Sequence, residues 1–433
     1  MKKIFLNTFG CPKNVADSEI LLHQIKVNNF EQVETAEDAD IVLINTCGFI
    51  QDAKEESLEY IFEMVKLKKA ARIEKIYVFG CLSERYMNEL KKGISEVDSF
   101  FGTYSILDII QSLGGEPKIK ELHTHSLVTP PHYAYIKISD GCNRKCAFCA
   151  IPSFKGKYKS KKVNDILKEI ETLPSTVKEI ILAAQEITSF GKDIYKKFDL
   201  AYLLDKIEMS TFNGWVRLLY VYPTPFVKDI LNIMLASNKI CNYLDIPIQH
   251  ISDIVLKSMN RGKTRKQIFD LIDYVRNKKP EIALRTSVIV GYPAEGKKEF
   301  DELLSFIENV KFDRLGVFAY SAEEGTAAFR LGDTVSLSEK NRRKEMLLEV
   351  QKNISYNNNL KYVGQNMKVL IEEEDSSFFF GRTEFDAPEI DNLVVISKKN
   401  QAKNKHKDRK NIGKFAEVKI IDNSDFDLYA SFL

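Results

Sequence analysis

Asp140-Gly141-Cys142-Asn143-Arg144-Lys145-Cys146-Ala147-Phe148-Cys149 carries three cysteines at the spacing CxxxCxxC, with an aromatic residue just before the last. A site with four cysteine ligands is closed, whereas three thiolates leave one iron of a cluster without a protein ligand and free to bind a reacting molecule. The loop follows directly on an apolar run at 135–139 that predicts a β-strand. Five further runs, at 179–184, 216–222, 243–248, 284–290 and 316–320, are separated by helical stretches. Six strands with intervening helices predict an open partial barrel, with the cysteine loop at the carboxyl end of its first strand. Pro130-Pro131 marks the linker in front of it, since consecutive prolines join neither a helix nor a central strand.

Upstream of that linker a second triad, Cys11, Cys47 and Cys81, is spread over the first domain. Each of these cysteines lies two to five residues beyond an apolar run, at 3–6, 41–44 and 75–79, and a helical stretch follows each run. This alternation predicts a doubly wound parallel α/β sheet with all three thiols at the carboxyl ends of its strands. Open parallel sheets bind ligands there, so cysteines distant in sequence can converge on one site. Gly10, Gly48 and Gly80 adjoin them and are expected to let the backbone approach a bulky cluster. The competing reading is three buried structural thiols. The seventh cysteine, Cys241, reads as a small buried hydrophobe.

At 433 residues the chain should divide into two to four domains of about 100 to 200 residues each. The boundaries expected are 1–118, 128–361 and 362–433. Residues 338–361 predict a long charged helix, and short alternating runs at 367–371, 378–381, 393–396 and 415–420 predict a small antiparallel β-barrel. Lys-rich residues 398–410 fit an exposed loop within it. No apolar run approaches the roughly 20 residues of a membrane helix, and a cytoplasmic address is expected. Thiols stay reduced there, so triads at metal-site spacing are better read as ligands than as disulfides. A zinc site completed by a nearby histidine is the plainer alternative for the clustered triad. Lys plus Arg 63 against Asp plus Glu 61 offers no global electrostatic case for nucleic acid.

The cysteine loop, set after the first strand of a six-strand βα array, resembles that of the radical S-adenosylmethionine (SAM) enzymes. The resemblance implies a 4Fe-4S cluster at Cys142, Cys146 and Cys149 whose open iron chelates SAM. Reductive cleavage then yields a 5′-deoxyadenosyl radical able to abstract hydrogen from an unactivated carbon. Cys11-Pro12-Lys13-Asn14, Asn45-Thr46-Cys47-Gly48 and Gly80-Cys81-Leu82-Ser83-Glu84-Arg85 narrow the likeness to the radical-SAM methylthiotransferases, over nearly the whole chain. This implies a second 4Fe-4S cluster at Cys11, Cys47 and Cys81 that carries the transferred sulfur. It further implies two SAM molecules per turnover, an electron donor such as flavodoxin or ferredoxin, a sulfur donor, and an OB-like TRAM domain as the C-terminal barrel. Candidate SAM contacts by the same resemblance are Gln185, Glu186, Tyr222, Gln249, His250 and Arg285, with Tyr220 beside them. Each is also explicable as a helix cap or core polar group.

The family divides between enzymes that modify a tRNA adenosine and a branch that methylthiolates an aspartate β-carbon of ribosomal protein S-twelve in the small ribosomal subunit. Cys11-Pro12-Lys13-Asn14, Cys142-Asn143-Arg144-Lys145-Cys146 and residues 381–391 resemble the ribosomal-protein branch; the tRNA branch has Gln-Met-Asn after its first cysteine. Outside residues 398–410, the C-terminal region from Gln365 has four basic and twelve acidic residues, an arrangement expected to suit a basic protein partner rather than RNA. A non-catalytic metal protein that binds the ribosome through its C-terminal barrel is the alternative from another class.

Overall fold

Parallel strands β1 (Lys3–Thr8), β3 (Ile41–Thr46) and β4 (Lys75–Gly80) form the centre of the first domain, flanked by two-residue strands β2 (Glu31–Gln32) and β5 (Ser99–Phe100). The computed structural model describes residues 1–196, 199–278, 281–398 and 411–433. The sheet order is β2-β1-β3-β4-β5, and every neighbouring pair is parallel. Alternation along the strands feeds two cores. Val42, Ile44, Ile76 and Val78 pack with Ile61, Met64 and Val65 of the helix Gln51–Lys69. Ile41, Leu43, Tyr77 and Phe79 pack with Leu21, Leu22 and Ile25 of the helix Pro12–Val27. Sequential neighbours reverse direction across β1 and β3, the position at which such sheets open a binding crevice, and Cys11 and Cys47 follow those two strands.

The central domain contains the expected six strands in sequence order: β6 (Tyr133–Lys137), β9 (Glu179–Ala183), β10 (Trp215–Leu218), β11 (Tyr243–Asp245), β12 (Ala283–Val290) and β13 (Arg314–Ala319). A short antiparallel ribbon, β7 (Ser139–Asp140) with β8 (Lys159–Ser160), ties off the cysteine loop. Parallel pairing joins β6-β9-β10 and β11-β12-β13. A parallel bridge between Val216 and Ile240, with the Val221 N–H donating to Asp245 O at 2.9 Å, connects the halves into one open barrel. Strands β10 and β11 end earlier than their apolar runs. Tyr220 and Gln249 adopt left-handed φ of 62° and 74°, which ends extended pairing on the way to the barrel mouth.

The helix Leu337–Leu360 leads into β14 (Asn366–Glu374), β15 (Phe378–Arg382), β16 (Val394–Ser397), β17 (Phe415–Asn423) and β18 (Leu428–Phe432), a closed barrel of order β14-β15-β16-β18-β17. The expectation of an antiparallel barrel is corrected at one seam: β16 and β18 pair in parallel. The chain arrives at β18 from the hairpin with β17, and closure on β16 fixes that direction. Of the Lys-rich stretch, Lys398 pairs with Glu374 at 2.5 Å, and 399–410 lie outside the described residues. No helix among the described residues is long and apolar enough to cross a membrane.

Residues 381–391 dock this barrel on the amino-terminal end of the central strands. Arg382 pairs at 2.6 Å with Glu179, which also holds Arg217 at 2.6 Å. Glu384 accepts from the Asn242 backbone at 2.9 Å, Asp386 pairs with Arg314, and Asp391 takes the Tyr243 hydroxyl at 2.6 Å. Part of the acidic excess inferred from sequence is therefore internal: Glu372, Glu384, Asp386, Glu389 and Asp391 face partners within the molecule. A second buried clip holds the first domain. His125, in the linker, bonds Glu19 of the Pro12–Val27 helix at 2.8 Å and Glu169 of the Val163–Glu171 helix at 2.7 Å.

Candidate active site

Each N-terminal cysteine starts where a strand stops. Cys11 caps the helix Pro12–Val27 with Pro12 in its first turn, where a missing N–H costs nothing, and Cys81 opens the short helix Cys81–Arg85. Asn14 gathers the three loops: its Nδ2 donates to Phe9 O at 2.9 Å and Thr46 O at 3.2 Å, and its Oδ1 accepts from the Cys81 thiol at 3.7 Å. The neighbouring glycines let these loops approach one another. A Cβ on Gly10, at φ 95°, would stand 2.9 Å from Cys47 Sγ, and one on Gly48 would stand 2.7 Å from Leu82 Cα. The cysteine-bearing segments touch one another through their glycines.

Burial and charge set the thiols apart. Burial would push Cys11 up, but the Lys13 charge and the backbone N–H groups of Asn14 and Lys13 hold it below the ordinary thiol value. Burial raises Cys47, and it raises Cys81 to about 12. In the central loop, burial raises Cys142 and takes Cys149 to about 12. Metal ligation requires thiolates, so loading either triad releases protons.

The central loop is held from both sides. The Cys142 N–H donates to Gly156 O at 3.2 Å, and the Ala147 N–H to Met259 O at 2.8 Å. Cys142 Sγ accepts from the Arg144 N–H at 3.4 Å, and Cys146 Sγ from Arg261 Nη1 at 3.2 Å. Arg144 and Arg261 lie over the Tyr222 ring at 3.9 and 4.5 Å, and Arg144 reaches Glu186 at 3.4 Å. Arg261 is absent from the residues predicted by sequence; nothing in Met259-Asn260-Arg261-Gly262 distinguishes it from a helix-terminal cation.

The two triads adjoin. Cys81 packs on Ala150 and Phe154, the segment that directly continues from Cys149. Around this contact lies a buried charged group: Lys137 pairs with Asp17 and, at 2.6 Å, with Asp140, and Lys155 reaches Asp140 at 3.5 Å. Glu323, in the segment after β13, seals the rim by pairing with Lys54 at 2.9 Å and Arg85 at 2.7 Å of the first domain.

The predicted cofactor contacts occupy different situations. Glu186 is buried and faces Arg144, Thr188 and Ser189. Among the described residues the buried amide nitrogen and oxygen of Gln185 have no partner, which leaves this group available to a ligand. Gln249 has a strained backbone, a feature that concentrates at ligand sites. Both His250 ring nitrogens are engaged, with Glu295 at 3.1 Å and the Ser252 N–H at 3.0 Å. Arg285 directs Nη1 to Asp245 at 3.1 Å and Nε to Asp391 at 3.4 Å, so it joins the barrel floor to the C-terminal domain.

Soft thiolates in threes, with cationic and N–H donors on their sulfurs, suit an iron–sulfur cluster. Among the described residues, no three His, Cys, Asp or Glu side chains are placed as ligands of a single metal ion.

Comparison with known proteins agrees with this construction. Residues 3–102 match the uncharacterized protein family UPF0004, 136–307 the radical SAM superfamily, and 363–433 the TRAM domain. A protein of Chloroherpeton thalassium named ribosomal protein uS12 methylthiotransferase RimO is 46% identical over 99% of this chain and 98% of its own length. A namesake in Cytophaga hutchinsonii is 42% identical over 99% and 97%. Among solved structures, the radical SAM methyltransferase TsrM from Kitasatospora setae, with cobalamin and a 4Fe-4S cluster bound, superposes with a TM-score of 0.53 at 12% identity, covering 73% of this chain and 72% of that one. The cobalamin-dependent radical enzyme OxsB superposes at 0.51 and 13% identity, over 81% of this chain and 56% of its own. At such identities the structural likeness concerns the fold.

Proposed function

The chain belongs to the RimO family of radical-SAM methylthiotransferases, and we propose that its two cysteine triads hold two 4Fe-4S clusters acting on one substrate in the space between them. The enzyme is a transferase that methylthiolates ribosomal protein uS12. The observation that carries the division of labour is the contact of Cys81 with Ala150, which brings the sulfur-bearing end of one domain against the radical-generating loop of the other.

When bound, the cluster at Cys142, Cys146 and Cys149 with SAM supplies the radical chemistry, and the cluster at Cys11, Cys47 and Cys81 supplies the sulfur. The chain's own residues place and shield these groups. Arg261 and the Arg144 N–H donate to the sulfurs of Cys146 and Cys142. Gln185 offers an unpartnered amide, and Glu186, Tyr222 and Gln249 stand at the same strand ends as further SAM contacts. His250 and Arg285 act from behind, through Glu295 and Asp245. The Glu323 bridge to Arg85 and Lys54 keeps the domains closed and water out of the gap.

Two SAM molecules per turnover, a flavodoxin- or ferredoxin-like reductant, a separate sulfur donor and an aspartate β-carbon target complete the reading, with a cytoplasmic place of action. The domain division 1–118, 128–361 and 362–433 is part of the same proposal and is supported by three separate strand systems. The test is the intact mass of uS12 from cells with and without the gene. A methylthio increment present only with the gene supports the reading; an unchanged mass, with a methylthio nucleoside in tRNA instead, would replace it.

A further inference from the structure

We propose that the outer side of the Cys142–Cys149 loop is the docking surface for an acidic one-electron carrier protein of the flavodoxin or ferredoxin class; this rests on the two-cluster reading above. Residues 141–163 contain seven Lys and Arg and no Asp or Glu, and residues 254–269 contain five and none. In a chain of formal net charge +2 these are local concentrations, and most of these cations have no part in the reaction described above.

The fold joins the two segments into one strip along the loop. The Cys142 N–H donates to Gly156 O at 3.2 Å and the Tyr158 N–H to Asn143 Oδ1 at 3.0 Å, which seats the ribbon of β7 and β8 on one side. Asn260 Nδ2 donates to Lys145 O at 2.7 Å, which seats the turn after the helix Asp253–Ser258 on the other. Arg144, Lys155, Lys161, Arg265 and Lys266 each have a carboxylate partner. Lys145, Lys157, Lys159 and Lys257 are exposed, and among the described residues no carboxylate pairs with them. Two other carboxylates bond to the backbone of these segments, Asp193 to the Ser160 N–H at 2.8 Å and Asp253 to the Arg265 N–H at 2.6 Å. Tyr104 of the first domain is 54% exposed and lies beside the strip, with Lys159 Nζ 5.8 Å from its ring centre.

A run of lysines alone is a solvated face. Position sets this strip apart: its backbone is bonded to the residues that carry the thiols of the radical-generating site, so a carrier seated on it is separated from the cluster by a single loop. Electron transfer falls off steeply with distance, and it needs only a small, brief encounter that exposed cations steer toward an acidic partner. An exposed aromatic ring such as Tyr104 supplies the apolar contact of such an interface. One electron passes from the reduced carrier to the cluster, which goes from the 2+ to the 1+ state; the carrier is oxidised by one electron, and no bond forms or breaks.

The test uses the reconstituted holoenzyme carrying Lys145→Glu with Lys157→Glu. The control, of equal charge change, carries Lys414→Glu with Lys419→Glu, both exposed on the C-terminal barrel at the opposite end of the central strands. Binding of an oxidised flavodoxin and of an oxidised ferredoxin is measured at low and high ionic strength, and 5′-deoxyadenosine release is measured with dithionite as reductant. The Lys145/Lys157 variant should bind its carrier about tenfold more weakly at low salt, with the difference lost at high salt, while the control binds as the wild type does. With dithionite it should release 5′-deoxyadenosine at the wild-type rate. Unchanged carrier binding by this variant, equal losses in the control, or a wild type that binds neither carrier would overturn the assignment. So would loss of small-subunit binding with carrier binding intact, which would make the strip an RNA contact. Absence of 5′-deoxyadenosine from the wild type with dithionite would instead remove the radical reading, and this assignment with it.

Discussion

Asn14 accepts the Cys81 thiol on Oδ1 at 3.7 Å while its Nδ2 donates to the carbonyls of Phe9 and Thr46, one beside each of the other two cysteine loops. A single carboxamide thus gauges the spacing of all three thiols. Asn14→Ala should leave the buried Thr46 carbonyl and the part-buried Phe9 carbonyl short of a donor, at a cost of about 1–3 kcal/mol for the buried one. The N-terminal site should lose most of its iron while SAM cleavage at the other triad continues. Iron and sulfide analysis alongside 5′-deoxyadenosine release measures both; equal iron in mutant and wild type would refute the role.

Arg261 donates to Cys146 Sγ at 3.2 Å and lies over Tyr222. Hydrogen bonds and positive charge at cluster sulfurs raise reduction potential. Arg261→Met should therefore shift the SAM-cleaving cluster to a more negative potential, readable by redox titration. An unchanged potential would show that Arg261 only packs against Tyr222.

The C-terminal barrel is locked by Arg382, buried between Glu179 and Glu372 at 2.6 Å from each. Removing one member of a buried charge network costs about 3–5 kcal/mol. Arg382→Met should make the barrel and its docking segment protease-sensitive well before the central domain. Cleavage at the wild-type rate would mean that Asp386, Glu384 and Asp391 suffice to hold it.

His125 gives stability a defined pH profile. Burial opposes its charge, but bonds to Glu169 and Glu19 prevail and raise it from 6.5 to about 9. Its contribution, on the order of 3 kcal/mol, is complete below the unfolded value and is lost as pH rises from 6.5 to about 9. Burial opposes the Glu169 charge too, yet Lys161 and His125 depress it from 4.5 to about 2, so its share is lost as pH falls through that interval. Unfolding midpoints should plateau between these windows, and His125→Gln should remove the alkaline slope; a slope that persists would place its origin elsewhere.

Much of this design was legible in the chain because local signals and tertiary demands coincide. Strand runs ending in cysteines located both triads, and the spacing of Cys142, Cys146 and Cys149 identified a three-thiolate loop. What escaped the sequence depends on long-range geometry. The edge strands β2 and β5 have two residues each, too few to show a period. Strand β18 pairs not only with its hairpin neighbour β17 but also, in parallel, with the distant β16. Arg261 acquires meaning only from a loop far away in sequence, that of Cys146. Net charge could not show which acidic residues are spoken for: those of 381–391 bind Arg314, Arg285 and Asn242 of the same chain.

The central claim is that two adjoining triads divide one reaction. It is tested most directly by assaying the reconstituted full chain carrying Cys47→Ala or Cys149→Ala for 5′-deoxyadenosine release and for methylthiolated uS12. The account predicts that Cys149→Ala abolishes both, whereas Cys47→Ala keeps SAM cleavage and loses the methylthio product. Methylthiolation by Cys47→Ala at the wild-type level would contradict it.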